Sequence, residues 1–180
     1  GTSMNIGYGA AGGGCCCRFT RIDRAYITFD TSCLPCANVI SAATLGVVAI
    51  TVVNTFCGGD SAILVTNTVS SATGLAVADF NNVGTANQAT ATIPLACITA
   101  NSCAYTTFTL NSTGIGNITK DGATKFALRA LKDATDTKPT WAADNLELLR
   151  MATADSCLSC KEPILTVTHA AAFTPRAIIF

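Results

Sequence analysis

Charge is scarce in this chain: Asp, Glu, Lys and Arg make up 12% of its 180 residues, with eleven basic side chains against eleven acidic ones. That fraction is about half the ~25% usual for soluble domains. No cluster of Lys or Arg occurs, which argues against nucleic acid and anionic membranes, since both are held by positive charge aimed at phosphate. No apolar run reaches the ~18 residues needed to span a bilayer; even Val39 to Val53 is interrupted by Ser41, Thr44, Gly46 and Thr51, so no membrane insertion is expected. Catalytic signatures are missing too. The single histidine, His169, has no Gly-x-Ser-x-Gly elbow to serve, and no phosphate loop, dinucleotide fingerprint or His-Glu metal helix is present. The nine Asp and two Glu are scattered, read as loop residues, with no spacing that marks a glycosidase pair. An enzyme is therefore not expected, and no cofactor is required. No linker divides the chain, which suggests one domain with a sizeable core. No signal-peptide pattern opens it, so an exported form is expected to be mature or trimmed.

What is abundant is β pattern. Ala25, Ile27 and Phe29 alternate with Arg24, Tyr26, Thr28 and Asp30, the period of a strand with one buried side. A turn through Cys33-Leu34-Pro35-Cys36 leads to the β-branched run Ile40 to Val53, expected to pair with the first strand like a hairpin and to be covered on both faces or bent at Gly46. Further strands are expected at Ser3–Tyr8, Ala62–Thr66, Leu75–Phe80, Ala91–Leu95, Tyr105–Leu110, Lys125–Leu131, Leu146–Met151 and Pro163–Thr168. The strand at Ala62 is expected to neighbour the run ending at Val53, because the connection is short. Gly114 to Gly122 holds at most one helical turn. Roughly nine to ten short strands punctuated by turns predict an all-β antiparallel β-sandwich or jelly roll rather than βαβ units.

Cysteine is the second abundance, ten in all: Cys15, Cys16, Cys17, Cys33, Cys36, Cys57, Cys97, Cys103, Cys157 and Cys160. In a small β-rich chain this usage predicts an oxidising compartment and a disulfide-stapled fold. Adjacent Cys15, Cys16 and Cys17 point to at least two directions, toward intrachain bridges or with one thiol crossing to a neighbouring subunit. Cys97 and Cys103 have a spacing suited to a local bridge. Cys33-x-x-Cys36 and Cys157-x-x-Cys160 have zinc-knuckle spacing, with cross-loop disulfides and disulfides within each knuckle as the other readings. Asp60, Asp121, Asp133 and Asp136 are loop carboxylates of the type that bind calcium, or solvated turn residues. Asn111-Ser112-Thr113 and Asn117-Ile118-Thr119 are glycosylation-type sequons at Asn111 and Asn117.

The run Arg24-x-Tyr26-Ile27-x-Phe29-Asp30, then Leu34-Pro35, then Ile40-Ser41-x-Ala43-x-Leu45 resembles the start of DNRLRE-type extracellular domains. These are jelly-roll sandwiches of secreted bacterial, archaeal and phage proteins, related to some carbohydrate-binding modules. The likeness continues at Gly122 to Arg129 and at Pro163-Ile164-Leu165-Thr166-Val167-Thr168, and spans roughly residues 1–169. It implies that the end of the Arg24–Asp30 strand neighbours the start of the closing strand, bringing the two knuckles face to face. It also implies an opening strand ahead of the first turn that this chain lacks. That leaves a sandwich domain over 1–169 and a tail over 170–180.

Two functions fit. The first is a non-enzymatic extracellular structural subunit that assembles with copies of itself into a filament, cell-surface or virion coat. The second is a carbohydrate-binding module, which needs exposed aromatics to stack on a polysaccharide; with one Trp and three Tyr, Tyr26, Tyr105 and Trp141 are its candidate members. For assembly the apolar tail is the candidate element: Phe173, Ile178, Ile179 and Phe180 are expected either to complete the edge of their own sheet or to add to a neighbour's.

Overall fold

The computed structural model describes residues 3–11, 18–55, 59–71, 74–101, 103–140, 144–155 and 162–171. Among them are β1 (Ser3–Ala11), β2 (Arg18–Asp23), β3 (Ala25–Asp30), β4 (Asn38–Val47), β5 (Ala49–Asn54) and β6 (Ser61–Thr66). There follow β7 (Ile93–Pro94), β8 (Thr106–Thr109), α1 (Ser112–Gly116), β9 (Ala123–Ala130), α2 (Leu131–Ala134), β10 (Leu146–Ala152) and β11 (Ile164–Ala171). Every pairing between strands is antiparallel. The strands form three sheets in the orders β2-β1-β10-β5, β11-β4-β8 and β3-β9-β6-β7. The architecture is an all-β sandwich, as the alternating patterns predict. No helix among the described residues is long and apolar enough to cross a membrane.

One core joins the three sheets. Ile6, Leu149 and Met151 come from the first, Leu45, Val47 and Phe108 from the second, and Ile27, Leu64, Phe126 and Leu128 from the third. The alternation in β3 places Ala25 and Ile27 inside, and in β9 Phe126, Leu128 and Ala130 are all fully buried. The outer face of the third sheet is covered as well. Ile63, Val65 and Ala127 pack beneath Leu131, Val83 and Tyr26.

Sheet partnership departs from expectation in several places. β3 and β4 do not pair: β3 takes β9, with Ile27 opposite Phe126, while β4 lies between β11 and β8. Thr31 explains the divergence. Its buried hydroxyl lies within hydrogen-bond distance of the carbonyls of Thr119 (2.6 Å) and Gly122 (2.8 Å), and its N–H donates to Gly122 O at 2.7 Å, so the end of β3 stays pinned to the start of β9. The chain then crosses the core edge through buried Leu34 before β4 begins. The long apolar run does bend, but at Val48 rather than Gly46. The Val48 carbonyl accepts from Ala152 N at 3.1 Å, and the strand passes there from one sheet to the next. Gly46 lies inside β4, where an added Cβ would stand 3.0 Å from both Ile164 and Tyr105. β5 and β6 belong to different sheets and are not neighbours.

Leu75 to Phe80 is no strand. A 3-10 turn spans Val77–Asn81, stabilised by the Asp79 carboxylate, which accepts from Ala76 N (2.8 Å) and Asn82 Nδ2 (3.0 Å). Ala91–Leu95 contracts to the two-residue β7. β2, which the sequence pattern did not reveal, is an exposed edge strand with only Phe19 and Ile22 apolar. β11 runs to Ala171, past the expected boundary at 169.

Candidate functional site

The short helix α2 carries Lys132 and Asp133 into two adjoining polar clusters. In the first, the Asp133 carboxylate accepts from Arg24 Nε (2.8 Å), Arg24 Nη2 (2.7 Å) and Arg129 Nε (2.7 Å). All three side chains are nearly closed to solvent. The same arginines hold the surrounding loops: Arg24 Nη1 donates to Phe80 O at 2.7 Å and its guanidinium lies 4.1 Å over the Phe80 ring, while Arg129 donates to Gly84 O at 2.9 Å. Burial alone would raise the Asp133 pKa, but the hydrogen bonds from Arg24 and Arg129 hold it below the usual carboxylate range.

The second cluster holds Tyr8, Asp60, Lys132 and Glu147. Asp60, almost buried, accepts from Ser61 N at 2.7 Å and Lys132 N at 3.3 Å, and the Tyr8 hydroxyl hydrogen-bonds it. Burial raises the Asp60 carboxyl above its ordinary value, and burial together with the two nearby carboxylates raises the Tyr8 phenol. The Lys132 ammonium donates to the Gly59 carbonyl. Glu147 is fully buried in β10, and among the described residues neither of its oxygens has a hydrogen-bond partner. Two cavities border the cluster, one of about 390 Å³ against Asp60 and Lys132 and one of about 220 Å³ against Tyr8 and Lys132; Glu147 lines neither.

The sequence pattern did carry a signal for Glu147. It is in phase with Leu149 and Met151, two inward residues of β10, and so was not a loop carboxylate. Arg129 lay equally in view, in phase with Ala127 on the covered face of β9.

The four aspartates proposed for calcium do not converge. Asp133 is paired with two arginines and Asp60 with backbone N–H groups and Tyr8, whereas Asp121 and Asp136 are turn residues with φ of 61° and 50°. Among the described residues no group of three or more His, Cys, Asp or Glu is placed to hold a metal.

Cys33, Cys36 and Cys97 are exposed free thiols, and Cys103 is disulfide-bonded, so the local Cys97–Cys103 bridge is not formed. Cys36 Sγ lies 3.8 Å from the Asp121 carboxylate. The start of β11 does not neighbour the end of β3. Ile164 sits opposite Gly46, and it is Ala171 that lies opposite Asn38, beside the Cys36 turn. At ~3.3 Å per residue the two ends of that pairing are about 26 Å apart. Cys15, Cys16, Cys17, Cys57, Cys157 and Cys160 lie outside the described residues. Alkylation without reduction, followed by peptide mapping, is expected to label Cys33, Cys36 and Cys97 and to spare Cys103; a labelled Cys103 would contradict the bridge.

Asn111 has a structural role. Its side chain accepts from Gly114 N at 2.9 Å to cap α1, and its Nδ2 donates to Asn87 O (2.9 Å) and Ala89 O (3.0 Å), leaving that amide committed within the fold. Asn117 is exposed, with its Nδ2 on Gln88 Oε1 at 2.7 Å. Tyr26 lies on β3 and Tyr105 just ahead of β8. Tyr26 donates to Asp79 O (2.9 Å) beneath the 3-10 turn, and Tyr105 donates to Glu162 O (3.1 Å) beside Gly46, so they share no stacking platform. Trp141 and the tail residues Phe173, Ile178, Ile179 and Phe180 lie outside the described residues. No family model matches the chain, and neither a curated protein nor a solved structure is similar to it.

Proposed function

We propose that this chain is a non-enzymatic extracellular structural subunit that assembles with copies of itself, as a filament or as the coat of a cell or virion. The observation that carries the reading is β11. It is an eight-residue edge strand, Ile164 to Ala171, without Lys, Arg, Asp, Glu or Pro, and six of its eight residues are exposed. An edge of that kind is a template for another strand, because among the described residues its outward N–H and C=O groups have no strand beside them. The contrast with β2 is informative: that edge carries Arg18, Arg21 and Asp23, charges that oppose pairing. Exposed Val39, Ile164 and Tyr105 add apolar surface on the β11-β4-β8 sheet. The disulfide at Cys103, the scarce charge and the resemblance to DNRLRE-type jelly-roll domains support an extracellular, disulfide-stapled module. In this reading the added strand comes from another copy, with residues 173–180 as the candidate donor. A contact of that type is head-to-tail and propagates unless its rotation closes a ring.

Two lysines placed on the edge test the reading. Thr166→Lys with Thr168→Lys is expected to leave the circular dichroism and melting unchanged and to reduce wild-type polymers to single subunits in sedimentation. A wild-type protein that stays monomeric, or a folded double variant that still polymerises, would defeat it.

A further inference from the structure

Glu147 is the least satisfied group in the described structure. On β10 it stands opposite Tyr8 of β1 on one side and Asn54 of β5 on the other. Its carboxylate is fully buried with neither oxygen hydrogen-bonded. The ionisable groups around it are Tyr8 from β1, Asp60 from the loop ahead of β6 and Lys132 from α2; β5 contributes only neutral Asn54, and β10 adds none that acts on it. With Asp60, Glu147 and Lys132 all ionised, the cluster holds one uncompensated negative charge, and Glu147 itself is fully buried. Such a charge is relieved by a cation, a ligand or a proton. Glu147 lines neither bordering cavity, and the Lys132 ammonium donates to the Gly59 carbonyl rather than to Glu147, so the geometry favours the proton.

We propose that Glu147 is a proton-binding switch, neutral in the folded protein under mildly acidic conditions and ionised in alkali, where its charge loosens β10 from the 59–61 loop and α2. The inference does not depend on self-assembly. Burial first, and then Asp60, push the Glu147 carboxyl up to about 7, against the pull of Lys132. The folded value lies above the unfolded value of 4.5, so the folded state binds the proton more tightly. The stability from that proton is complete below the ordinary carboxylate range and is lost as pH rises through about 7.

Thermal unfolding of wild type and Glu147→Gln from pH 5.5 to 8.5 reads the switch. Gln mimics the neutral acid, and the chain's single histidine, His169, is exposed. Wild type is expected to lose about 5–10 °C across that range, and the variant to stay nearly level. A second measurement needs no variant. The chain has two glutamates, Glu147 and Glu162, so 13C-carboxyl NMR of glutamate-labelled protein gives two titrating signals, one of them expected near neutral pH. Equal pH slopes for wild type and a folded variant, or two signals that both titrate in the ordinary carboxylate range, would overturn the proposal.

Discussion

Asp133→Ala is expected to lower the unfolding free energy by about 3–5 kcal/mol, because it strands two arginine side chains that the fold holds almost out of water. For a domain of this size that corresponds to a melting point lower by roughly 10 °C or more. Arg24→Ala removes one partner and leaves Asp133 on Arg129 Nε at 2.7 Å, so its expected effect is smaller, about 1–3 kcal/mol. The ordering separates a shared hub from independent contacts. Urea denaturation of both variants checks it, and a loss below about 1 kcal/mol for Asp133→Ala would mean that the arginines re-pair with water at little cost. Acid should act in the same direction. The Asp133 pKa is depressed in the folded protein, so its contribution is present above the ordinary carboxylate range and disappears as pH falls through the folded value. Glu147 has the opposite sign. Stability is therefore expected to peak in mild acid, between the two titrations.

How much of this was visible in the sequence depends on the range of the interaction. Alternation is a local property, and it correctly placed Ala25 and Ile27 of β3 in the core. Pairing is not local. Whether β3 meets β4 or β9 is decided by Thr31, whose three oxygen partners lie 88 to 93 residues away at Thr119, Gly122 and Thr124. The corner at Val48 was equally hidden, since it depends on where β10 and the segment at Asn101 take up backbone bonds. Gly46 was the natural suspect for a bend, yet it serves side-chain packing by Ile164 and Tyr105. In the polar clusters the phase of Glu147 and Arg129 was legible while their partners were not. Asp133 reaches Arg24 over 109 residues, and Asp60, in the loop ahead of β6, lies far along the chain from Tyr8 of β1.

Gly7→Ala is expected to have the other large effect, about 4 kcal/mol or more. Gly7 lies between β2 and β10, opposite Asp23 and Leu148, with φ of +136°, a backbone conformation that L side chains rarely adopt. A Cβ there would lie 1.9 Å from the Glu147 carbonyl oxygen and 2.8 Å from its carbon. Those are backbone atoms of a central strand flanked by β1 and β5, so no rotamer change relieves the overlap; β1 must withdraw from β10 beside the fully buried Glu147. Two other glycines serve as controls. Gly9, two residues on in the same strand, would place its Cβ 3.5 Å from a Leu146 methyl, and Gly116 in α1 would meet nothing within 4 Å. Gly9→Ala should therefore be tolerated, and Gly116→Ala should be neutral or stabilising by about 0.5–1 kcal/mol, as in other helices. Chemical denaturation of the three variants under one condition decides the matter. Equal effects at Gly7 and Gly9 would show that β1 can slide on β10, and that the close approach at Glu147 is not fixed by the fold.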